Sequence, residues 1–385
     1  MTAAEARKPD VTLVGDVMPG RGVGASLVRF GPDKAAAWLK SLLPGRLVIG
    51  NLECPLCDAH PSSDFKADGS PNLRASPSVA VWLRRAGFTA FCLANNHVLD
   101  CGPDGLAQTI EHLHRAGIRT AGAGGNLYEA LAPAVMSCDG RQVALLAFGN
   151  GPAAGRKTAG VAPVNSECLA RALRQVRGSA DAVVVMVHAG LEFLEYPESY
   201  VRRFADEAVD GGADVVVGSH PHCIRGLKRS ARGVILYGLG DFLADTTDER
   251  LLASHLARTA LTRLGFEATG ARHCEQALAC DVFLAGARRI ECKLRAVIAG
   301  RDFIPRAATR HERYEVLGRM RQLSRPVRRP EDGHWLNVEK IEKAYAKAYC
   351  RRGLKGWLTL PFRLRRRHVA RLARRLGSDP GGSNR

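Results

Sequence analysis

The chain has 385 residues, 46% of them hydrophobic and 24% charged, a composition that supports a sizeable core and excludes a disordered chain. Its eleven cysteines are an odd number without regular spacing, which argues against a disulfide scaffold and for reduced thiols in a reducing compartment. The net charge of +18 is uneven: residues 306–385 hold 22 of the 56 Lys and Arg but only 7 of the 38 Asp and Glu, so a nearly neutral body carries a basic tail.

The opening MTAAEARKPD has no apolar run, so neither a signal peptide nor an N-terminal anchor is expected. No stretch approaches about 18 uninterrupted apolar residues, so no transmembrane helix is expected. Short β-branched runs predict strands at 11–17, 47–52, 88–94, 142–148, 182–189, 213–218 and 233–239. Continuous apolar character suits strands buried on both faces. Helices are expected at 33–43, 103–116, 165–177, 198–211 and 249–260, with Pro103 and Pro197 at first-turn positions. Segments 276–284 and 289–299 read as late strands joined across Gly286-Ala287. Strands alternating with helices predict a layered α/β fold.

Polar residues fall at the ends of these strands. Asp16 ends the first and Glu53 follows the second. Asn95, Asn96 and His97 end the third, His188 the fifth, and His220-Pro221-His222 follows the sixth. In open α/β sheets ligands gather at the carboxyl ends of strands, so five strand ends can converge on one site. Each residue also has a plainer role: Asp16 and the asparagines as turn residues, His97 as a cap, His188 as a hydrogen-bonded core histidine. Carboxylate, amide and imidazole donors together suit Mn²⁺, Fe²⁺ or Zn²⁺, which bind phosphate oxygens and activate water.

Six motifs, in order along most of residues 10–325, resemble the capsule-synthesis protein CapA family, named for poly-γ-glutamate capsule biosynthesis and related in fold to calcineurin-like metallophosphoesterases. They are Gly15-Asp16-Val17-Met18-Pro19-Gly20-Arg21, Asn51-Leu52-Glu53, Ala94 through Gly102 (ANNHVLDCG), His188-Ala189-Gly190-Leu191-Glu192, Gly218-Ser219-His220-Pro221-His222 and Tyr237-Gly238-Leu239-Gly240-Asp241-Phe242. The resemblance implies a two-layer β-sandwich flanked by helices. It implies one or two divalent ions held by Asp16, Glu53, Asn96, His188, His220 and His222. His97 would protonate the leaving group, Arg21 would clamp an anionic substrate, and Glu192 would orient His188 or act as a base. The implied function is hydrolysis of a phosphoester or related anionic small-molecule or polymer substrate in capsule or poly-γ-glutamate-type polymer synthesis. The alternative is a non-catalytic, membrane-associated component of a synthesis or export complex. Met18 stands where metallophosphoesterases usually place a histidine, and Glu53 replaces the usual bridging Asp. Pro19, Ala189, Gly238 and Asp241 stand where the family more often has Leu, Trp, Ser and Asn.

The organisation expected is a metallophosphoesterase-type domain over 10–310, a basic helical appendage over 311–376 and a disordered end over 377–385. Pro305, Pro326 and Pro330 punctuate the boundary. Within 362–376, apolar residues share one helical face among arginines. That face either packs on the body or lies on an anionic membrane surface. Nucleic acid is not expected, because no base-reading motif is present. The location implied is cytoplasmic, peripheral at the inner membrane face. Cys54-Pro55-Leu56-Cys57 has no second C-x-x-C and is read as coincidence. Gly20, Gly22 and Gly24 lack the spacing of a dinucleotide fingerprint.

Overall fold

The computed structural model describes residues 7–58, 73–245, 273–285, 290–300 and 302–328. The candidate helix at 249–260, the link across Gly286-Ala287 and the tail beyond 328 lie outside these residues. The elements in chain order are β1 (Val11–Val17), α1 (Arg21–Phe30), α2 (Pro32–Leu42), β2 (Leu47–Leu52), α3 (Val79–Arg85), β3 (Ala90–Cys92), α4 (Gly102–Arg115), β4 (Arg119–Ala121), β5 (Ala123–Gly124), α5 (Leu127–Ala130), β6 (Ala134–Cys138) and β7 (Arg141–Gly149). There follow β8 (Gly160–Val161), α6 (Ser166–Val176), β9 (Ala182–His188), α7 (Ser199–Asp210), β10 (Val215–Ser219), β11 (Leu227–Arg229), β12 (Val234–Leu236), β13 (Asp241–Leu243), β14 (Gln276–Leu284), β15 (Ile290–Ala299), β16 (Pro305–Ala307) and α8 (Arg310–Arg328).

The strands form two principal sheets. One runs β16-β15-β14-β1-β2-β3-β4, with β13 also pairing β1; the other runs β11-β12-β10-β9-β7-β6. Parallel pairs β1–β2, β2–β3, β7–β9 and β9–β10 hold the centre of each sheet. Their helical crossovers cover the outer faces, which is why β1 and β9 are buried at every residue. Side-chain alternation divides the second sheet. Val143, Leu145, Val184, Met186, Val215 and Val217 join the core shared with the first sheet. Ala144, Leu146, Val183, Val185 and Val216 pack instead with Leu169, Leu173, Phe204 and Ala208 of α6 and α7. On the opposite outer face Leu39, Leu83, Leu106 and Leu113 bring α2, α3 and α4 onto the first sheet. The result is a helix–sheet–sheet–helix sandwich, the mixed α/β architecture expected.

Local signals explain the helix starts. Asn165 caps α6, its side chain accepting from the Glu167 and Cys168 amides. Gly102, at φ 71°, turns the chain into α4, with Pro103 and Asp104 in its first turn. α8 packs Val316, Met320 and Leu323 into the main core, so residues 310–328 lie against the body. Among the described residues no helix is long and apolar enough to cross a membrane.

The sheets carry their functional ends through tight backbone approaches. A Cβ on Gly15 would lie 1.9 Å from the Gly240 carbonyl oxygen, which accepts from the Asp16 amide at 3.2 Å. A Cβ on Gly149 would lie 1.8 Å from the Ala94 oxygen. Both obstacles are backbone and cannot swing away. Gly15→Ala is therefore expected to lower stability by about 2–3 kcal/mol or more, the cost of overpacking a closed interior, read as a lowered Tm in thermal unfolding; a variant as stable as the parent would show that β1 and the Gly240 turn can separate.

Candidate metal centre

Six elements deliver polar groups to one end of the sandwich. Asp16 comes from β1, Glu53 from just beyond β2, Asn96 and His97 from beyond β3, and His188 from the end of β9. His220 and His222 follow β10, and Asp241 opens β13. Glu53 and His188 are fully buried, with relative exposures of 0% each; Asp16, His97, His222 and Asp241 are buried, while Asn96, Glu192 and His220 are half-buried.

His188 shares the alternation of Ala182, Val184 and Met186, so it faces the other sheet. Its Nε2 lies 2.9 Å from Asn96 Oδ1 and 3.2 Å from Glu53 Oε1. Its Nδ1 lies 3.1 Å from Ser219 Oγ and 3.1 Å from Asn51 Nδ2. Asn51 Nδ2 also donates to Asp16 Oδ1 at 2.7 Å, tying the ends of β1, β2 and β9 together. Asp16 Oδ2 accepts from the His220 amide at 3.1 Å. His222 Nδ1 lies 2.9 Å from Asp241 Oδ1 and 3.7 Å from Asp16 Oδ2.

The loop that presents the two imidazoles is strained. His220 and His222 both have positive φ, at 93° and 53°. A non-glycine residue held there costs of order 1–3 kcal/mol, and such residues cluster at functional sites. The rings of His188 and His220 are 4.7 Å apart by centroid, and Phe193, itself at φ 58°, lies 5.8 Å from His222.

A divalent ion fits the donors on one specific ground. Both carboxylate oxygens of Glu53 are buried and accept no hydrogen bond. An ionised carboxylate left so costs several kcal/mol unless a cation compensates it. A proton on His188 Nε2 can serve Asn96 or Glu53 but not both, whereas an ion serves all three. Three groups of side chains have ligand atoms within 4.8 Å of one another: Glu53 with His188 and His220, Glu192 with His220 and His222, and Asp16 with His222 and Asp241.

Electrostatics follow from burial and from the carboxylate–imidazole mixture. Burial pushes the Glu53 carboxyl up to about 7, opposed by His188 and reinforced by Asp16. Burial also opposes the charged form of Asp16, but the neighbouring His188 and His222 hold its carboxyl below the usual range. For His188, burial is outweighed by Glu53 and Asp16, raising the imidazole to about 9. His222 is raised well above its ordinary value, Asp241 and Glu53 outweighing burial. His220 is pushed well below, by burial and by the surrounding imidazoles.

The remaining expected residues fall around this centre. His97 Nδ1–H donates to Asp100 Oδ2 at 2.9 Å, and that oxygen also accepts from the Leu73 amide at 2.6 Å. Asp100 thus fixes the orientation of the His97 ring. Glu192 lies with His220 and His222, while His188 is surrounded by Asn51, Asn96, Glu53, Ser219 and Asp16. The loop carrying Glu192 is clamped by buried Arg225, whose Nε donates to the Leu194 oxygen at 2.7 Å, Nη2 to the Leu191 oxygen at 3.2 Å and Nη1 to Glu198 Oε2 at 3.2 Å. Arg21 opens α1 and lines a small recess with Met18, Gly20, Cys54, Leu73 and Asp245. Cys54 and Cys57 are both buried, and burial pushes the Cys54 thiol up, away from reactivity.

A model of the bacterial capsule synthesis protein PGA_cap family matches residues 10–246, a span that contains every group named above. The chain belongs to this family. PGA_cap relatives include the capsule biosynthesis protein CapA of Bacillus anthracis, 32% identical over 266 residues, or 66% of this chain and 65% of that protein. The chain therefore covers just under two thirds of that relative's length. The PGA biosynthesis protein CapA of Bacillus subtilis (strain 168) is 30% identical over 269 residues, 67% of this chain and 70% of that one. Among solved structures, a phosphatase from Mycoplasma pneumoniae aligns with a TM-score of 0.45 at 13% identity, covering 76% of this chain and 94% of that one.

Sequence reasoning passed over four members of the PGA_cap centre. Asp100 carried a signal, a carboxylate three residues after His97, and Asn51 sits near the end of β2, two residues before Glu53. Ser219 and Asp241 stand in the fifth and sixth motifs, but their place at the site shows only when β10 is laid beside β9 and β13 beside β1. Any ion that binds here must displace protons from His188 and His222 and, in part, Glu53. Adding Mn²⁺ to metal-free protein at pH 7 is expected to release on the order of two protons per chain. Affinity should rise between pH 7 and about 9 as His188 loses its proton. Indicator-dye titration reads both, and binding without proton release would show that these imidazoles are not ligands.

Proposed function

We propose that this protein is a metal-dependent hydrolase of a phosphoester or related anionic substrate, working in the synthesis of a capsule or poly-γ-glutamate-type polymer. The supporting observation is the fully buried Glu53, its oxygens accepting no hydrogen bond, among His188, His220 and Asn96. Family membership and the CapA relatives support the polymer context. Glu53, His188, His220 and Asn96, with Asp16 and His222, would hold one or two divalent ions. A bound ion would polarise a phosphoryl oxygen and lower the pKa of water to about 7.

The chain's own groups supply the rest. His97, oriented by Asp100, gives a proton to the leaving oxygen and stabilises charge developing on it. Asn51 holds Asp16 and His188 in register, so the donors from both sheets stay fixed during the reaction. Arg21 attracts the anionic substrate from the mouth of α1. The excess of basic residues in 306–385 supports contact between the tail and an anionic membrane face.

The test uses the metal-loaded full chain on chromogenic phosphomonoesters and phosphodiesters. His97→Ala is expected to lower kcat by about 10²–10⁴-fold with bound metal unchanged. Normal turnover in that variant would remove His97 from the mechanism. Metal bound without turnover of any ester would leave a non-catalytic role in the polymer machinery, a reading that the methionine at position 18 favours.

A further inference from the structure

We propose that Arg319 of α8 is a positioning residue of the metal centre. It holds Glu195, and through Glu195 the loop from Gly190 to Glu198 that brings the Glu192 carboxylate to His220 and His222. The functional unit then extends through α8, beyond residues 10–246 that the family model matches. The link to the centre rests on the metal-dependent reading above, while the hold on the loop stands without it.

α8 touches both segments that wall this side of the centre. Its Ser324 Oγ accepts from the Leu227 amide at 2.9 Å, and a Cβ on Gly226 would lie 2.3 Å from the Leu323 carbonyl oxygen. The chain just after Arg225 therefore runs directly against the helix. About one turn earlier along α8, Arg319 Nη2 donates to Glu195 Oε1. Both side chains are shielded, with exposures of 18% and 9%, so removing one leaves the other charged without compensation.

The loop needs such a hold. Gly190 and Phe193 have positive φ, at 119° and 58°, and strained backbone persists only where its surroundings over-determine it. Phe193 is buried and its amide donates to the Pro221 oxygen at 2.8 Å, so the loop is bonded to the turn that presents the two imidazoles. Arg225 grips the loop at Leu191, Leu194 and Glu198; Arg319 adds a hold at Glu195, three residues from Glu192.

Packing alone does not call for this pair. Val316, Met320 and Leu323 already seat α8 in the main core. A shielded ion pair is a weak source of stability, since apolar residues of similar volume serve as well or better. What it supplies is direction: a guanidinium fixes where a carboxylate stands, whereas an apolar contact lets its partner slide.

The experiment measures hydrogen–deuterium exchange and Mn²⁺ affinity on the full chain for wild type, Arg319→Gln and Arg319→Lys. Leu113→Ala, which loosens α4 on the first sheet, is the control for general loss of stability. Arg319→Gln is expected to raise exchange in peptides spanning 190–198 by about tenfold or more, because opening the loop no longer breaks a shielded ion pair. Peptides of β9 should exchange as in wild type. The same variant should bind Mn²⁺ about tenfold more weakly, the usual effect of losing a group that orients a metal site. Arg319→Lys keeps the charge and should recover most of both. Leu113→Ala should lower Tm without either change. A loop as protected as in wild type, a loosened loop with unchanged Mn²⁺ affinity, or equal changes in Leu113→Ala would each overturn the assignment. A wild-type chain that binds no Mn²⁺ would overturn the metal-dependent reading and the link to the centre, and the exchange data would still decide whether Arg319 holds the loop.

Discussion

Three carboxylates and three imidazoles are packed together at one end of the sandwich, nearly all of them buried, and the surrounding structure is arranged around that burden. Asp16, Glu53 and Asp241 are buried together with His188 and His222, and His220 leans against them. Isolated charges cannot be held this way without compensation. Protons partly provide it, which is why Glu53 is pushed toward neutrality while His188 and His222 are pushed toward the charged form. A divalent ion does the same work without occupying the imidazole nitrogens with protons.

The cost of assembling these groups is spread over a rigid frame. Each donor stands at the end of a strand whose other residues are core, so its backbone is set by the sheet before the side chain is considered. Where strands alone do not suffice, the chain uses unfavourable geometry: positive φ at His220 and His222, and glycines at 15 and 149 where a Cβ would strike a carbonyl oxygen. The strain at His220 and His222 lies at the site itself and is sustained by the packing around it, while the two glycines let backbones approach where no side chain would fit.

Much of this frame was legible in the residue order. Residues 11–17, 47–52 and 276–284 read as strands because their apolar, β-branched runs are long and interrupted only by polar residues with a buried use, and they are strands with those limits. The third strand is shorter than its pattern, Ala90–Cys92 rather than 88–94, because Leu93 and Ala94 stay apolar while the chain already turns toward Asn95. α1 was hidden by Gly20, Gly22 and Gly24, which look like a loop yet lie at and just inside a helix start. α8 opens the basic helical segment expected over 311–376, and Val316, Met320 and Leu323 give it a face buried in the main core. The site residues at strand ends could be found singly, as histidines and carboxylates after apolar runs. Asp241 stood out only as a member of the sixth motif, and its place at the site depends on β13 lying beside β1, a pairing across more than two hundred residues.

The Arg225–Glu198 pair has a consequence for the conditions under which the site keeps its shape. Both side chains are almost wholly inaccessible, and between them they grip the loop from Leu191 to Leu194 that presents Glu192 to His220 and His222. Mobile ions screen exposed charges over a distance of about 10 Å at moderate ionic strength, but they do not enter a sealed pair. Any attraction of an anionic ligand to exposed charges would therefore weaken as salt rises, while the loop that this pair grips stays in place. Encounter and accommodation are governed by different media: the first by the electrolyte outside, the second by a dielectric that the electrolyte does not reach.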